Sequence, residues 1–491
     1  MDTTEQTRPE RLTFRIGIAG AFIAPLFFII GAASYFLFLN AFDMNALTMS
    51  ALVGMMIAAL FATDYEAFWD GVVSGIATPI AITVTLILFI VGPLAALVES
   101  TGVSEGFVWL ATELGVGGDI FPAIVFLAAC AMSMSTGTSL GTMFTAFPIF
   151  YPAGAALDAS PTLLAGAILA GSLFGDNLAP ISDTSIVSAA TQRYRTRPGV
   201  ADVGGVVAAR VKYALTAAVI SFALYLVIGA VFIGSDSSAT ADADASPRGL
   251  LMLIPIAALF VVAFWKRNLY LAITVGLIVG TVTALATGLM EPSGVASVTD
   301  GVAEGFLVAG VADMLPIIGL SLSVFGMLGI LQRAGVLELV IKKITESKFA
   351  GTPTGAEVAI AGGQSIVTVL FAGAVGPSIV TFGSVVDRIG ASVGLHPYRR
   401  ANVMDCFAIG IACVLPALSA FLFIASQLTG GVDGMPHLSP TTIFVACLYP
   451  LVLTVIMVIS VATGWGRTFE GPGGIQVKER PSEPVSADPA L

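Results

Sequence analysis

The chain has 491 residues, 56% of them hydrophobic and 11% charged, with a mean hydropathy of +0.95. A soluble protein of this length needs more polar surface than that, so a water-soluble globule is excluded and an all-α polytopic membrane protein is expected. The 21 Lys and Arg against 32 Asp and Glu leave a net charge of -11, which argues against nucleic acid as a partner.

Apolar runs follow one another at 14–39, 46–62, 79–98, 119–157, 162–190, 212–234, 249–265, 269–289, 314–332, 355–386, 401–428 and 441–463. The first, preceded by Arg8, Arg11 and Arg15, is too long for a signal-peptide core, and GAAS at 31–34 is a poor, late cleavage site, so it reads as a spanning helix. The stretch DYEAFWDGV, with Asp64, Glu66, Asp70 and Trp69, reads as an interfacial amphipathic segment. Runs 119–157 and 355–386 are too long for single helices, and small or polar residues interrupt each: SMSTGTSLGT at 133–142 and AGAVGPS at 372–378. Reading both as re-entrant hairpins sends the basic clusters Arg193/Arg195/Arg197, Lys266/Arg267, Lys342/Lys343 and Arg399/Arg400 to one side. By the positive-inside rule that side is the cytoplasm, and it holds both termini. The acidic loop SDSSATADADAS at 235–246 then faces outward and gives a surface suited to high salt.

This reading gives about ten transmembrane helices plus two re-entrant hairpins, arranged as two inverted repeats. The first repeat is 1–234, with hairpin 119–157 and broken helix 162–190. An acidic extracellular linker follows at 235–247. The second repeat is 248–465, with hairpin 355–386 and broken helix 401–428, and 466–491 is expected to be a disordered cytoplasmic tail. Weak internal likenesses support the repeat: WDGVVSGI (69–76) with TDGVAEGF (299–306), and SPTLLAGAILAGSLFGDNLAP (160–180) with HPYRRANVMDCFAIGIACVLP (396–416). Inverted repeats with helices broken at the midplane are a secondary-transporter architecture, and without a nucleotide-binding signature the energy source is an ion gradient.

The segment GSLFGDNLAPISDTS, 171–185, sets Asp176 and Asp183 inside an apolar run. An intramembrane carboxylate costs at least ~2.5–3.5 kcal/mol on insertion scales, so such residues usually face a cavity and have a function. Gly175 and Pro180 weaken the helix between them, and the carbonyls freed there are candidate cation ligands. Asn177, Ser182, Thr184 and Ser185 add oxygens, as do Ser135, Thr136, Thr138 and Ser139 at the first hairpin. Desolvation favours the neutral form of a buried carboxylate, so one group can hold a proton or sodium in turn. The plainer alternatives are an N-cap for Asp183 or Ser182 and small-residue helix packing for the hairpin hydroxyls. Asp405, close to Arg399, Arg400 and Asn402, is a secondary candidate or a simple ion pair. Gln364 and Ser365 are weaker candidates, His396 and His437 read as solvated loop residues, and Cys130, Cys406, Cys413 and Cys447 read as core residues without metal-ligand spacing. No Arg or Lys lies within the predicted core, which favours inorganic cations over organic anions as cargo.

The 171–185 motif resembles the G-D-x-x-S-P-[IL]-S-D-T-[TS] signature of the NhaC family of sodium/proton antiporters, matched at Asp176, Pro180, Ser182, Asp183, Thr184 and Ser185. GLHP at 394–397, with an acid nine residues after the His, is similar to that family's second half. The resemblance implies a homodimer in the cell membrane, each subunit with a scaffold and a moving transport domain. The chain departs from the pattern at Asn177, usually basic, at Ala179, usually Ser, and at apolar 408–416, usually rich in Thr and Ser. The last departure implies that a second, symmetry-related ion site is lost. The expected function is sodium/proton antiport through Asp176 and Asp183, with sodium, protons and the lipid bilayer as partners and no cofactor. The alternative is a sodium- or proton-coupled exchanger of organic acids or amino acids. An enzyme is not expected, since no paired His and Glu occupies the core.

Overall fold

The computed structural model describes residues 11–38, 44–101, 109, 113, 117–232, 247–266, 269–299, 301–345, 351–416, 418–430, 432 and 435–480. The expected acidic linker lies outside these residues apart from its last, Pro247, and so does the end of the tail, 481–491.

Helices account for nearly all regular structure. In chain order they are α1 (Ile23–Phe38), α2 (Met44–Phe61), α3 (Tyr65–Ile76), α4 (Pro79–Ser100), α5 (Phe121–Thr136), α6 (Ser139–Ala156), α7 (Pro161–Leu178), α8 (Asp183–Ala190) and α9 (Val203–Phe232). There follow α10 (Leu253–Lys266), α11 (Leu269–Thr287), α12 (Phe306–Arg333), α13 (Val336–Thr345), α14 (Pro353–Leu370) and α15 (Val375–Ser392). The last four are α16 (Pro397–Ile409), α17 (Ala420–Gln427), α18 (Pro440–Ala446) and α19 (Leu448–Thr463). Two antiparallel strand pairs complete the set: β1 (Ser297–Thr299) with β2 (Val302–Glu304), and β3 (Phe469–Glu470) with β4 (Gln476–Val477). Among the described residues five helices are long and apolar enough to cross a membrane, or six if the pair α18–α19, bent by 56°, is one span. Four shorter apolar helices, Phe121–Thr136 of the first expected hairpin among them, fall below that length.

The chain divides into two compact units. The first comprises Met1–Leu86, Leu315–Glu346 and Leu370–Ala372, and the second comprises Ile87–Met314, Ser347–Val369 and Gly373–Leu491. Each half of the sequence contributes to each unit, so the expected repeats and the compact units are different divisions of the chain. In the first unit small residues let helices touch backbone to backbone: a Cβ on Gly75 of α3 would lie 2.1 Å from the Phe325 carbonyl oxygen of α12. Asp64 caps α3 by accepting from the Ala67 amide at 3.0 Å, and Glu66 and Asp70 are exposed, as an interfacial helix requires.

The second unit is built around α7, whose residues from Leu163 to Leu178 are all buried. That explains its hydrophobicity on every face. Its glycines receive the backbones of neighbours, Gly166 against Ala446 of α18 and Gly171 against Phe126 of α5. The break after α7 has a local cause. Pro180 has no amide hydrogen to continue the ladder and forces Ala179 into extended geometry (φ -68°, ψ 127°). The other interrupted runs behave likewise. Gly137 (φ +70°) ends α5 before α6 begins, and Ala372 and Gly373, both at positive φ, separate α14 from α15. A 3-10 turn, Ile411–Val414, separates α16 from α17. The bend at Cys447 between α18 and α19 lies one turn before Pro450, which has no amide hydrogen for the Ala446 carbonyl; that carbonyl accepts from the Tyr225 hydroxyl at 2.7 Å instead.

Residues 466–480, expected to be disordered, are instead ordered, which corrects the reading of the tail. Arg467 pairs with Glu357 at 2.7 Å, and Glu470 accepts from the Arg195 and Thr196 amides at 2.6 and 2.8 Å. Phe469 bridges to Leu395. Composition marked this segment as unable to build a core of its own, but it is held by buried ionic partners on other elements.

Candidate functional site

Four chain interruptions converge in the second unit. The turn after α5 meets the break after α7, where a Cβ on Gly137 would lie 2.8 Å from Ile181 Cγ1. The turn before α15 meets the break after α16, where a Cβ on Gly373 would lie 2.6 Å from the Cys413 carbonyl oxygen. The same α15 start also reaches the first break, since a Cβ on Gly376 would lie 3.0 Å from Asp183 Oδ2. Glycine at 137 and 373 is required twice over, by positive φ and by these close approaches.

Asp176 stands at the centre and is 5% exposed. Its Oδ1 accepts from the Ser182 hydroxyl at 2.5 Å and its Oδ2 from the Ser139 hydroxyl at 2.7 Å. Asp183 differs from expectation: it is exposed at the break rather than buried. It occupies the first turn of α8, with Oδ1 accepting from the Thr184 amide at 2.9 Å, while Ser182 is the N-cap and accepts from the same amide at 3.2 Å. Thr184 also donates its hydroxyl to the Asp176 carbonyl at 3.0 Å. One run of hydrogen bonds, through Ser182 and Thr184, therefore links the buried carboxylate to the exposed one.

Three carbonyls at the end of α7 are engaged. Gly175 C=O accepts from the Ala179 amide at 2.7 Å, Asp176 C=O from Thr184, and Asn177 C=O from Arg210.

Ser139 is the single hydroxyl of the four hairpin candidates that reaches Asp176. Ser135 and Thr136 donate back to the carbonyls of Ala131 and Met132 at 2.7 and 3.1 Å, and Thr138 caps α6. Each of those three satisfies its own helix end. Ser185 accepts from Arg210 at 3.2 Å. Gln364 is buried and donates to Ser378 and Thr368 at 2.8 and 3.2 Å, while Ser365 is only partly buried beside it.

Asp405 does not pair with its sequence neighbours. It forms a fully buried salt bridge with Arg210 at 2.8 Å, and its other oxygen accepts from Asn177 Nδ2 at 3.1 Å. Asn402 accepts from Arg210 Nε at 2.9 Å. Arg399 pairs instead with Glu357 at 2.7 Å, and Arg400 with Asp387 at 3.1 Å. The expectation of a core free of basic residues is therefore wrong. Arg210 lies about 10 Å into α9 at 1.5 Å per residue and is 0% exposed. The apolar run begins only at 212, whereas helix α9 starts at Val203 and so carries Arg210 inward. Tyr449, which donates to Asn177 Oδ1 at 2.9 Å, carried no sequence signal at all.

His396 is also corrected. It is buried rather than solvated, and it caps α16 through Nδ1, which accepts from the Tyr398 amide at 3.1 Å. Its Nε2 faces the Gly474 carbonyl at 3.1 Å, which fixes the Nε2–H tautomer. Burial lowers its pKa from the ordinary histidine value. Among the described residues no group of three or more His, Cys, Asp and Glu forms a metal centre, and the four cysteines are buried.

Comparison with known proteins points to sodium/proton antiporters. A family model described as the Na+/H+ antiporter family matches residues 11–195, a span that contains Ser139, Asp176 and Asp183. The malate-2H(+)/Na(+)-lactate antiporter of Bacillus subtilis is 27% identical over 338 residues, 64% of this chain and 69% of that protein. The Na(+)/H(+) antiporter NhaC of Alkalihalophilus pseudofirmus is 25% identical over 320 residues, 60% of this chain and 66% of its own length. An uncharacterized Na(+)/H(+) antiporter of Haemophilus influenzae is 24% identical over 345 residues, 65% and 70% of the two chains. The expected resemblance to NhaC-type sodium/proton antiporters is borne out, and the chain is a multi-pass membrane protein.

Proposed function

We infer that this relative of the NhaC-type sodium/proton antiporters exchanges sodium for protons across the cell membrane, with both ions competing for the carboxylates Asp176 and Asp183. The observation that carries the reading is the buried Asp176 carboxylate, held by Ser139 and Ser182 and linked through Thr184 to the exposed Asp183. A hydroxyl that donates to a carboxylate keeps its lone pairs, so Ser139 and Ser182 can orient Asp176 and still offer oxygen to sodium. By extension from the rules for hard cations, sodium suits this all-oxygen set. A proton on Asp176 and a sodium ion at Asp176 exclude one another because each occupies the same lone pairs. Release of one on each side of the membrane, as α7 and α8 are presented alternately to the two sides, makes the exchange. The basic loops support cytoplasmic termini, and homodimerisation and the inverted-repeat layout remain part of the same reading.

The name of the Bacillus relative favours a second reading, coupled exchange of organic acids. An organic anion needs a cation offered to the cavity, and Arg210 is a poor one: it donates to Asn402, Asn177, Ser185 and Ser188, and its charge is paired with Asp405. Inorganic cation exchange is therefore the preferred reading.

Everted vesicles from a host without its own sodium/proton antiporters separate the two. With an acidified interior reported by a pH-sensitive dye, sodium addition should release protons. Silence towards sodium, lithium and potassium from neutral to alkaline pH, with a response to malate or lactate, would establish the second reading instead.

A further inference from the structure

The guanidinium of Arg210 reaches the end of α7 from α9. Its Nε donates to Asn402 Oδ1 at 2.9 Å. One terminal nitrogen serves the Asn177 carbonyl and Ser185 Oγ, the latter at 3.2 Å, and the other serves Ser188 Oγ at 3.2 Å and Asp405 Oδ2 at 2.8 Å. Four hydrogen bonds and one ion pair thus tie a single side chain from α9 to α7, α8 and α16. The Asn177 carbonyl is one that the end of α7 leaves without a helical partner, and a positive charge at a helix C-terminus is favourable. Asn177 closes the arrangement, donating to Asp405 Oδ1 at 3.1 Å and accepting from Tyr449 at 2.9 Å.

Two consequences follow from charge and position. A cation cannot share the Asn177 carbonyl with a guanidinium, so sodium is confined to the face of the break that carries Ser139, Ser182 and Asp183. Asp405 is the third acid of this core, and its charge is already compensated by a partner that does not deprotonate in proteins. It therefore has no charge to trade for an ion, although it is as deeply buried as Asp176.

We propose that Arg210 is a positioning residue that seals the back of the helix break and, by holding Asp405 as a permanent ion pair, restricts ion exchange to Asp176 and Asp183 and so sets the number of protons moved per sodium. This rests on the exchange reading above, but fails separately from it. If wild-type protein shows no sodium/proton exchange, that reading fails. If wild type exchanges and the Arg210 variants leave coupling untouched, this inference alone fails.

The test is the sodium/proton coupling ratio in proteoliposomes, read from the sodium gradient that stops net flux at a set pH gradient, together with the pH profile of transport. Arg210→Gln leaves Asp405 uncompensated next to the exchange pair, and its coupling ratio or pH profile should change. Arg210→Gln combined with Asp405→Asn removes both charges, and should return folded protein with the wild-type ratio. Asp405→Asn alone leaves the guanidinium uncompensated near Asp176 and should raise the sodium concentration for half-maximal rate at least tenfold, while Arg210→Lys should only partly replace the wild-type side chain. A wild-type ratio and pH profile in Arg210→Gln would overturn the proposal. So would a double variant that fails to fold or that carries an altered ratio. If Arg210→Gln alone does not fold, the double variant decides the matter by the same two readouts.

Discussion

Replacing Gly175 by Ala tests whether the approach of α5 and α7 places Asp176. A Cβ at Gly175 would lie 2.3 Å from the Ser133 carbonyl carbon and 2.3 Å from the Met134 amide nitrogen. Carbon atoms pack best at about 3.5–4.0 Å, so the helices must part by roughly 1 Å or more, and no rotamer relieves a contact with main chain. Asp176 is the next residue and moves with α7. Its 2.7 Å bond from Ser139, on the α6 side, would then pass the limit of about 3.0 Å for such bonds. Overpacking of this kind costs about 1–3 kcal/mol of stability, and a hydrogen bond to a charged group contributes about 1.5–3 kcal/mol. The expected protein folds with a lowered melting temperature and needs at least tenfold more sodium for half-maximal exchange, a change equivalent to about 1.4 kcal/mol. Dye-reported flux in proteoliposomes over a sodium series gives the number. Gly362→Ala is the control, because a Cβ there meets nothing within 4 Å. A Gly175→Ala protein with wild-type sodium dependence would refute the idea that this contact sets the position of Asp176.

Three further outcomes are expected. Glu357→Gln takes the shared partner from buried Arg399 and from Arg467, and breaking a buried pair in this way should cost about 3–5 kcal/mol; unchanged thermal unfolding in detergent would remove the pair from the account of stability. His396 is neutral and buried, with its pKa lowered by desolvation, so the unfolded chain binds the extra proton first as pH falls. Its contribution is complete above the unfolded value of about 6.5 and is lost as pH drops from there towards the folded value. His396→Asn, which keeps a capping side chain, should flatten that decline in melting temperature, and an equally steep decline in the variant would exclude His396 as its source. Deleting 481–491 should leave stability and transport unchanged, while deleting 466–491 should lower stability by removing Arg467 and Glu470; equal behaviour of the two truncations would show that the ordered segment contributes nothing.

What was legible in the sequence had local causes. The break at 179–182 was visible because Pro180 acts on its immediate neighbours, and the two interruptions in the long runs were visible because Gly137 and Gly373 stand where helices end. The carboxylates of the site were visible because charge inside an apolar run needs explanation. What was hidden depended on distant partners. Arg210 looks like a basic residue near a helix end until α16 brings Asp405 to it, and Arg399 beside Asp405 invited the wrong pairing. His396 looked like a loop residue because the Gly474 carbonyl that covers it comes from a segment with no hydrophobic pattern of its own. The hydroxyls of Ser135, Thr136 and Thr138 had the right chemistry, but their own helix ends claim them, and hydropathy cannot show which way a hydroxyl is committed. Asn177, where the resembling family usually carries a basic residue, is contacted by a basic side chain after all, through Arg210 and its bond to the Asn177 carbonyl.

The most direct measurement is proton release on sodium addition by the purified protein in unbuffered solution, compared between wild type and Asp176→Asn. The substitution keeps the size of the side chain and removes its charge, so both proteins should fold and elute alike. Wild type is expected to release protons in proportion to sodium bound, and Asp176→Asn to release none. Equal release from the two proteins would contradict the assignment of the exchange to Asp176.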